Sequence, residues 1–182
     1  MTDNSGKIIL DLCGGTGSWS HPYKEAGYDV RLITLPDYDV LTYEPPKGVY
    51  GILAAPPCTE FSIAKNGSHR HRDLALGMET VRACLEIIWN CRLHSKLAFW
   101  AMENPRGLLR QFMGKPVMTF DPWQYGDEWT KKTDIWGYFK TPKPTVAEPP
   151  QGMIKRYSSG KSNAFCWTTC NDRVPDWYKG PK

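Results

Sequence analysis

Nowhere in the 182 residues do eighteen apolar side chains follow one another, and the opening residues, MTDNSGK, are polar rather than basic and then apolar. The first absence excludes a helical membrane span and the second a secretion signal, so a soluble, cytoplasmic protein with no membrane partner is expected. CxxC spacing is missing as well: Cys13, Cys58, Cys84, Cys91, Cys166 and Cys170 stand as isolated thiols, which suits a reducing compartment better than a disulfide framework. Cys166, Cys170, His69 and His71 form CxxxC and HxH pairs without the spacing of a zinc finger, and no metal is expected. Two phosphate-binding patterns are also lacking. No Gly-Lys-Ser/Thr follows the glycine cluster, and Ser20 stands where a dinucleotide fingerprint would place its third glycine.

What the chain does contain is enough apolar material, 41% of residues, to bury the core of one ordinary domain. Its net charge of +4 is unevenly placed. Residues 1–130 carry 13 Lys/Arg against 15 Asp/Glu, and residues 131–182 carry 10 against 4. The basic part is interleaved with Trp, Tyr and Phe, a mixture suited to phosphate contact and base stacking, or simply to a solvated surface. A catalytic domain over 1–140 and a basic, aromatic arm over 141–182 within the same structural domain are expected.

Lys7–Leu12 reads as a buried parallel strand entering a glycine turn. A short helix capped by Ser20 follows, with Pro22 in its first turn and Gly27 beyond its end. Tyr28–Leu35 and Val49–Ala55 are strand candidates, each closed by proline. Asp73–His94 is the longest helical stretch, with Leu74, Met78, Val81, Leu85 and Ile88 on one face. Leu97–Met102 is a further apolar strand running into Glu103, and Val117–Trp123 and Thr133–Phe139 are two more candidates. Strands alternating with helices predict an α/β fold: a Rossmann-like, mostly parallel central sheet with helices on both faces, which binds ligands at the strands' carboxyl ends. Every polar cluster of interest falls at such an end: Asp11–Gly17, Asp37–Asp39, Pro56–Ser62 and Glu103–Pro105.

In the turn Asp11-Leu12-Cys13-Gly14-Gly15-Thr16-Gly17, three residues lack a Cβ, so a ligand can approach the backbone closely. Taken alone this is equally a tight strand-to-helix turn. Pro56-Pro57-Cys58-Thr59-Glu60-Phe61-Ser62 is more specific: two prolines stiffen the chain after a strand and present a thiol, a nucleophile able to attack a ring carbon. Glu103-Asn104-Pro105 delivers a carboxyl group at the next strand's end. A nucleophile beside an acid is the pair that activates an electron-poor ring, one adding while the other protonates or hydrogen-bonds a ring nitrogen.

The ordered set DLCGGTG, DV, APPCTEFS, ENPRGLL and YGDEWTKKTDIWG, across residues 8 to 139, resembles the cytosine-5 DNA methyltransferase family. The resemblance implies the class I methyltransferase fold, S-adenosyl-L-methionine as cofactor and DNA with a flipped-out cytosine as substrate, in the cytoplasm of a bacterial or phage-infected cell. It implies Cys58 as the nucleophile that adds to carbon 6, and Glu103 as the group on ring nitrogen 3. Carbon 5 then takes the methyl group, and loss of its proton releases the enzyme. Asp11, Cys13, Gly14, Gly15, Thr16, Gly17, Asp39 and Pro56 would form the cofactor site, with Asp39 near the adenine. Pro57, Ser62, Asn104, Lys131 and Lys132 would meet the substrate.

Three features depart from that family. Ile33-Thr34-Leu35-Pro36 stands where an acid usually receives the ribose hydroxyls, with Asp37 the nearest substitute. Trp129-Thr130-Lys131-Lys132-Thr133 replaces an arginine-containing element, and lysine lacks the planar fork of arginine. About forty residues follow where a sizeable recognition region is usual, which predicts short or relaxed sequence specificity; Ser158–Phe165 only faintly matches the family's closing motif. Trp123, Trp129 and Trp136 suit base stacking or core filling equally. Two rival readings stay open: a catalytically impaired DNA- or cofactor-binding subunit, and a folate-dependent enzyme acting on free pyrimidine nucleotides.

Overall fold

The computed structural model describes residues 3–67, 71–127 and 130–150. Over these the chain is a mixed α/β protein built on one six-stranded sheet. The strands are β1 (Ile8–Leu12), β2 (Asp29–Ile33), β3 (Val49–Ala54), β4 (Phe99–Pro105), β5 (Met118–Phe120) and β6 (Thr133–Tyr138), in the order β2-β1-β3-β4-β6-β5. The pairs among β2, β1, β3 and β4 are parallel. The pairs β4–β6 and β6–β5 are antiparallel. The expected "mostly parallel" sheet therefore holds for four strands and gives way to an antiparallel edge.

The β4 strand runs three residues further than its apolar segment suggests, through Glu103, Asn104 and Pro105. Its partner is the reason: β6 pairs with it from Trp100↔Tyr138 to Pro105↔Thr133, so the polar end is held in the ladder by a strand thirty residues downstream. Helices lie on both faces, though unequally. The long helix α2 (Leu74–His94) and the short α3 (Leu109–Met113) cover one face, where Leu10, Leu12, Ile52, Ala54, Met102 and Trp136 join Val81, Cys84, Ile88 and Leu109 in the core. The other face carries the alternate residues of the same strands. The five-residue α1 (His21–Glu25) reaches that face through Tyr23, whose ring stacks on Phe99 at 5.5 Å, with Tyr28 and Tyr50 completing the aromatic cover.

Two local expectations shift. Asp73 caps α2 by accepting from the Leu76 amide, as its sequence suggests, but the buried stripe is Gly77, Thr80, Val81, Cys84, Ile87, Ile88 and Cys91, with Leu74, Met78 and Leu85 at its margin. A Cβ added at Gly77 would meet Glu60 and the Phe61 ring, so glycine there lets the helix lie close to the loop after β3. Ser20 precedes α1, yet its hydroxyl turns back to the Gly17 carbonyl instead of capping the helix. Trp136 is a core residue, 4% exposed, with its indole N–H on the Gly114 carbonyl; Trp123 is half-buried. Trp129, His69, Cys166, Cys170 and Ser158–Phe165 lie outside the described residues. Among the described residues no helix is long and apolar enough to cross a membrane.

Candidate active site

The sheet has its switch point at β1: the chain leaves β1 for β2 on one side and passes to β3 on the other, which opens a crevice above their carboxyl ends. Two backbone hydrogen bonds carry the ladder past the strands and draw their ends together, Cys13 N–H to the Ile33 carbonyl at 2.8 Å and Ala55 N–H to the Leu12 carbonyl at 2.9 Å. A cavity of about 240 Å³ lies there. Cys13, Gly14 and Gly15 form its floor; Ile33–Leu35 and Tyr38–Leu41 form the wall beyond β2; Ala55–Thr59 follow β3. Thr80 of α2, Glu103 and Pro105 of β4, and Lys131 complete it.

One cavity therefore holds Cys58, Glu103, Asp39, Pro56, Pro57, Lys131 and the first part of the glycine turn. Cys58 is half-buried and not in a disulfide, at the head of a tight turn in which its carbonyl accepts from the Phe61 and Ser62 amides at 3.0 and 2.9 Å. Asn104 explains how β4 is fixed against that loop. It is fully buried, donates its side-chain N–H to the Pro56 carbonyl at 2.9 Å, and leaves its Oδ1 without a partner. The acid's strand and the thiol's loop are thus joined by a bond one residue from the acid and two from the thiol. Asn104, expected to meet the substrate, thus lies outside the cavity lining with its side chain in the protein interior.

Asp11, expected in the cofactor site, stands behind the lining. It lies beneath the cavity floor, 0% exposed, and neither carboxylate oxygen has a partner at hydrogen-bonding geometry. Burial pushes its carboxyl above the ordinary carboxylate value, while the nearby hydroxyl and amide of Ser20 offset this only partly. A Cβ on Gly14 would sit 2.3 to 2.4 Å from this carboxyl group, so only glycine lets the floor rest on it. Cys13 occupies a left-handed conformation, φ 57°, and contacts Cys84 of α2, whose buried thiol is pushed well up by that contact and by burial.

Thr16 and Gly17 close the turn outside the cavity lining: the Gly17 amide donates to the Gly14 carbonyl, and the Thr16 and Ser18 hydroxyls pair at 2.7 Å on the surface. Lys132 is exposed, and its carbonyl accepts from the Arg106 amide. Ser62 sits below the cavity, in a bridge with Gly107. Asp37 is exposed and away from the wall, whereas Asp39 lines it and accepts from the Leu41 amide. Sequence reasoning missed Tyr38, Val40, Leu41 and Thr80. The loop after β2 carried no motif, and a threonine on an amphipathic helix gives no sign of facing a ligand. Among the described residues no three His, Cys, Asp or Glu side chains gather as metal ligands.

No protein-family model matches the sequence. No curated protein matches it either. Among solved structures, one described as "DhpI-SAM-HEP complex" is similar at 10% identity and a TM-score of 0.32, covering 84% of this chain and 69% of that one. A likeness of that degree assigns neither family nor activity.

Proposed function

We propose that the chain is a Rossmann-like class I methyltransferase that transfers a methyl group from S-adenosyl-L-methionine to carbon 5 of cytosine in DNA, with short or relaxed sequence specificity. The observation that carries this reading is the shared cavity: Cys58 after the double proline, Glu103 of β4 and the glycine turn of β1 all line one space at the sheet's switch point.

The residues present fit the cofactor. The carboxylate of Asp11, buried and short of partners beneath Gly14, is an acceptor waiting for a cation, and the ligand carries an ammonium and a sulfonium group. Gly14 and Gly15 admit its amino-acid end, and Tyr38, Val40 and Leu41 offer an apolar wall for the adenine, beside Asp39. Thr34 stands where an acid would receive the ribose. When bound, S-adenosyl-L-methionine supplies an electrophilic methyl group.

The protein's part is to make the pyrimidine reactive. Cys58 Sγ adds to carbon 6 as Glu103 hydrogen-bonds ring nitrogen 3, which moves electron density onto carbon 5 and directs it toward the cofactor end of the cavity. Water reaching the cavity accepts the carbon 5 proton, the freed electron pair re-forms the carbon 5–carbon 6 double bond, and the Cys58–carbon 6 bond breaks with its electron pair returning to sulfur. Lys131 meets the base or its phosphate from the cavity rim. A cytosine inside a duplex cannot enter so confined a space, so the base is extruded or the substrate is single-stranded.

The test is methylation of DNA by purified protein with labelled cofactor, read out base by base. Cys58→Ser and Cys58→Ala should each lose at least about a thousandfold in rate, and Glu103→Gln about a hundredfold or more. Methylation that persists in both Cys58 variants, or free dCMP accepted in preference to DNA, overturns the reading.

A further inference from the structure

The segment carrying the thiol is gripped from behind by an arginine outside the cavity. Arg72, just before α2, donates from Nη1 to the Glu60 carbonyl at 2.7 Å and from Nη2 to the Ser62 carbonyl at 2.8 Å and to Asn66 Oδ1 at 2.6 Å. Glu60 closes the grip from the other side. It is only 7% exposed, and its Oε2 accepts from both Lys65 Nζ and the Asp73 amide, next to Arg72. On the β4 side, the Phe61 carbonyl takes the Leu108 amide at 2.9 Å, and a Cβ on Gly107 would fall 2.3 Å from that same oxygen.

Three successive carbonyls, those of Glu60, Phe61 and Ser62, are thus held by Arg72, the β4–α3 turn and Arg72 again. The amides of Phe61 and Ser62 are in turn held by the Cys58 carbonyl. Arg72 can do this because its guanidinium presents several donors in one rigid plane, and a lysine ammonium cannot reach two carbonyls two residues apart with that geometry. Neither Arg72 nor Glu60 lines the cavity.

We infer that Arg72, with its neighbour Asp73 held through its amide by the buried Glu60 carboxylate, is a positioning residue that sets the Cys58 turn against the Glu103 strand end. The inference rests on the proposed function for its kinetic consequence, but the grip itself is testable without it. Its cationic head is engaged by two backbone carbonyls and the Asn66 side chain, so it acts on the thiol's placement and not as a phosphate contact.

The experiment compares full-length wild type with Arg72→Ala, Arg72→Lys and Glu60→Gln. Amide hydrogen exchange over residues 58–62 should quicken at least tenfold in Arg72→Ala while β1 and β3 keep their protection, with Arg72→Lys between the two. For methyl transfer, kcat should drop at least tenfold in Arg72→Ala at a cofactor Kd within twofold of wild type. Glu60→Gln should show the same pattern more weakly. Unchanged exchange at 58–62, exchange raised equally throughout the chain, Arg72→Lys indistinguishable from wild type, or a loss confined to cofactor Kd each overturns the inference. If wild type does not methylate DNA, the proposed function fails, and the exchange measurements still decide the grip.

Discussion

Replacing Asp11 with asparagine should make the cofactor-free protein more stable and its cofactor binding worse. The carboxylate is wholly buried with both oxygens short of partners, and burial holds its carboxyl above the usual range. A buried polar group without a partner costs about 1–3 kcal/mol, and more when charged, so exchange for a neutral isostere should recover roughly 1–2 kcal/mol. At roughly 2–4 °C per kcal/mol for a chain of this size, Tm should rise by about 2–8 °C at neutral pH. The pH sign follows from the raised value. Between about pH 4, where the unfolded carboxyl ionises, and its higher folded value, the native state holds more protons. Stability of the cofactor-free wild type therefore falls as pH rises through that window, and Asp11→Asn should flatten the fall. Losing the buried negative charge beneath the floor, worth about 1.5–3 kcal/mol to a cation above it at an effective dielectric near 20, should weaken binding of the proposed cofactor, S-adenosyl-L-methionine, by roughly 10- to 150-fold. Thermal melts across pH with isothermal titration of the cofactor measure both effects. A lower Tm at pH 7, or undiminished affinity, would refute the view of Asp11 as an acceptor reserved for a cation.

Asn104→Ala removes the tie between β4 and the Pro56 carbonyl; it should cost about 1–3 kcal/mol in a denaturant melt and lower kcat more than it changes cofactor affinity. Arg110 holds the fully buried Asp134 with both ends of its guanidinium, and Thr119 joins them, so Arg110→Ala should destabilise by about 3 kcal/mol; Asp134→Asn in the same background should recover part of that loss if an uncompensated charge is its source. Burial pushes the Cys91 thiol up to about 11. Its unfolded counterpart ionises near pH 8.5, so stability should decline from there up to the folded value, and Cys91→Ala should lessen the slope of an alkaline melt series.

The strands that end in glycine or proline were legible because the residues closing them also close them chemically: Gly14 and Gly15 after β1, Pro56 and Pro57 after β3. The extent of β4 was not, since Glu103–Pro105 is strand only by virtue of β6, and no local pattern announces a partner so distant. The α2 stripe was displaced because periodicity rewards leucine and methionine, whereas the buried positions include Gly77, Thr80 and Cys84, which pack on Phe61, line the cavity and meet Cys13 in turn. In the site, the types and order of Cys58, Glu103 and the glycine turn carried their chemistry openly, and the structure brings them to one cavity. Asp11 and Asn104 were located by their motifs, but their complete burial outside the cavity lining was not legible. Which way a strand-end side chain points depends on sheet register, which spacing alone does not fix. Tyr38, Leu41 and Thr80 needed the fold itself, and the grip of Arg72 depends on backbone carbonyls that no residue pattern displays.

The cluster of Tyr23, Tyr28, Tyr50 and Phe99, with the Lys7 ammonium 5.4 Å from the Tyr50 ring, shields its side of the sheet with flat plates instead of a long rod. Such plating is thin and sits at the opposite end of the strands from the chemistry. None of these four rings lines the cavity, so replacing one of them should cost stability while leaving the cavity lining untouched.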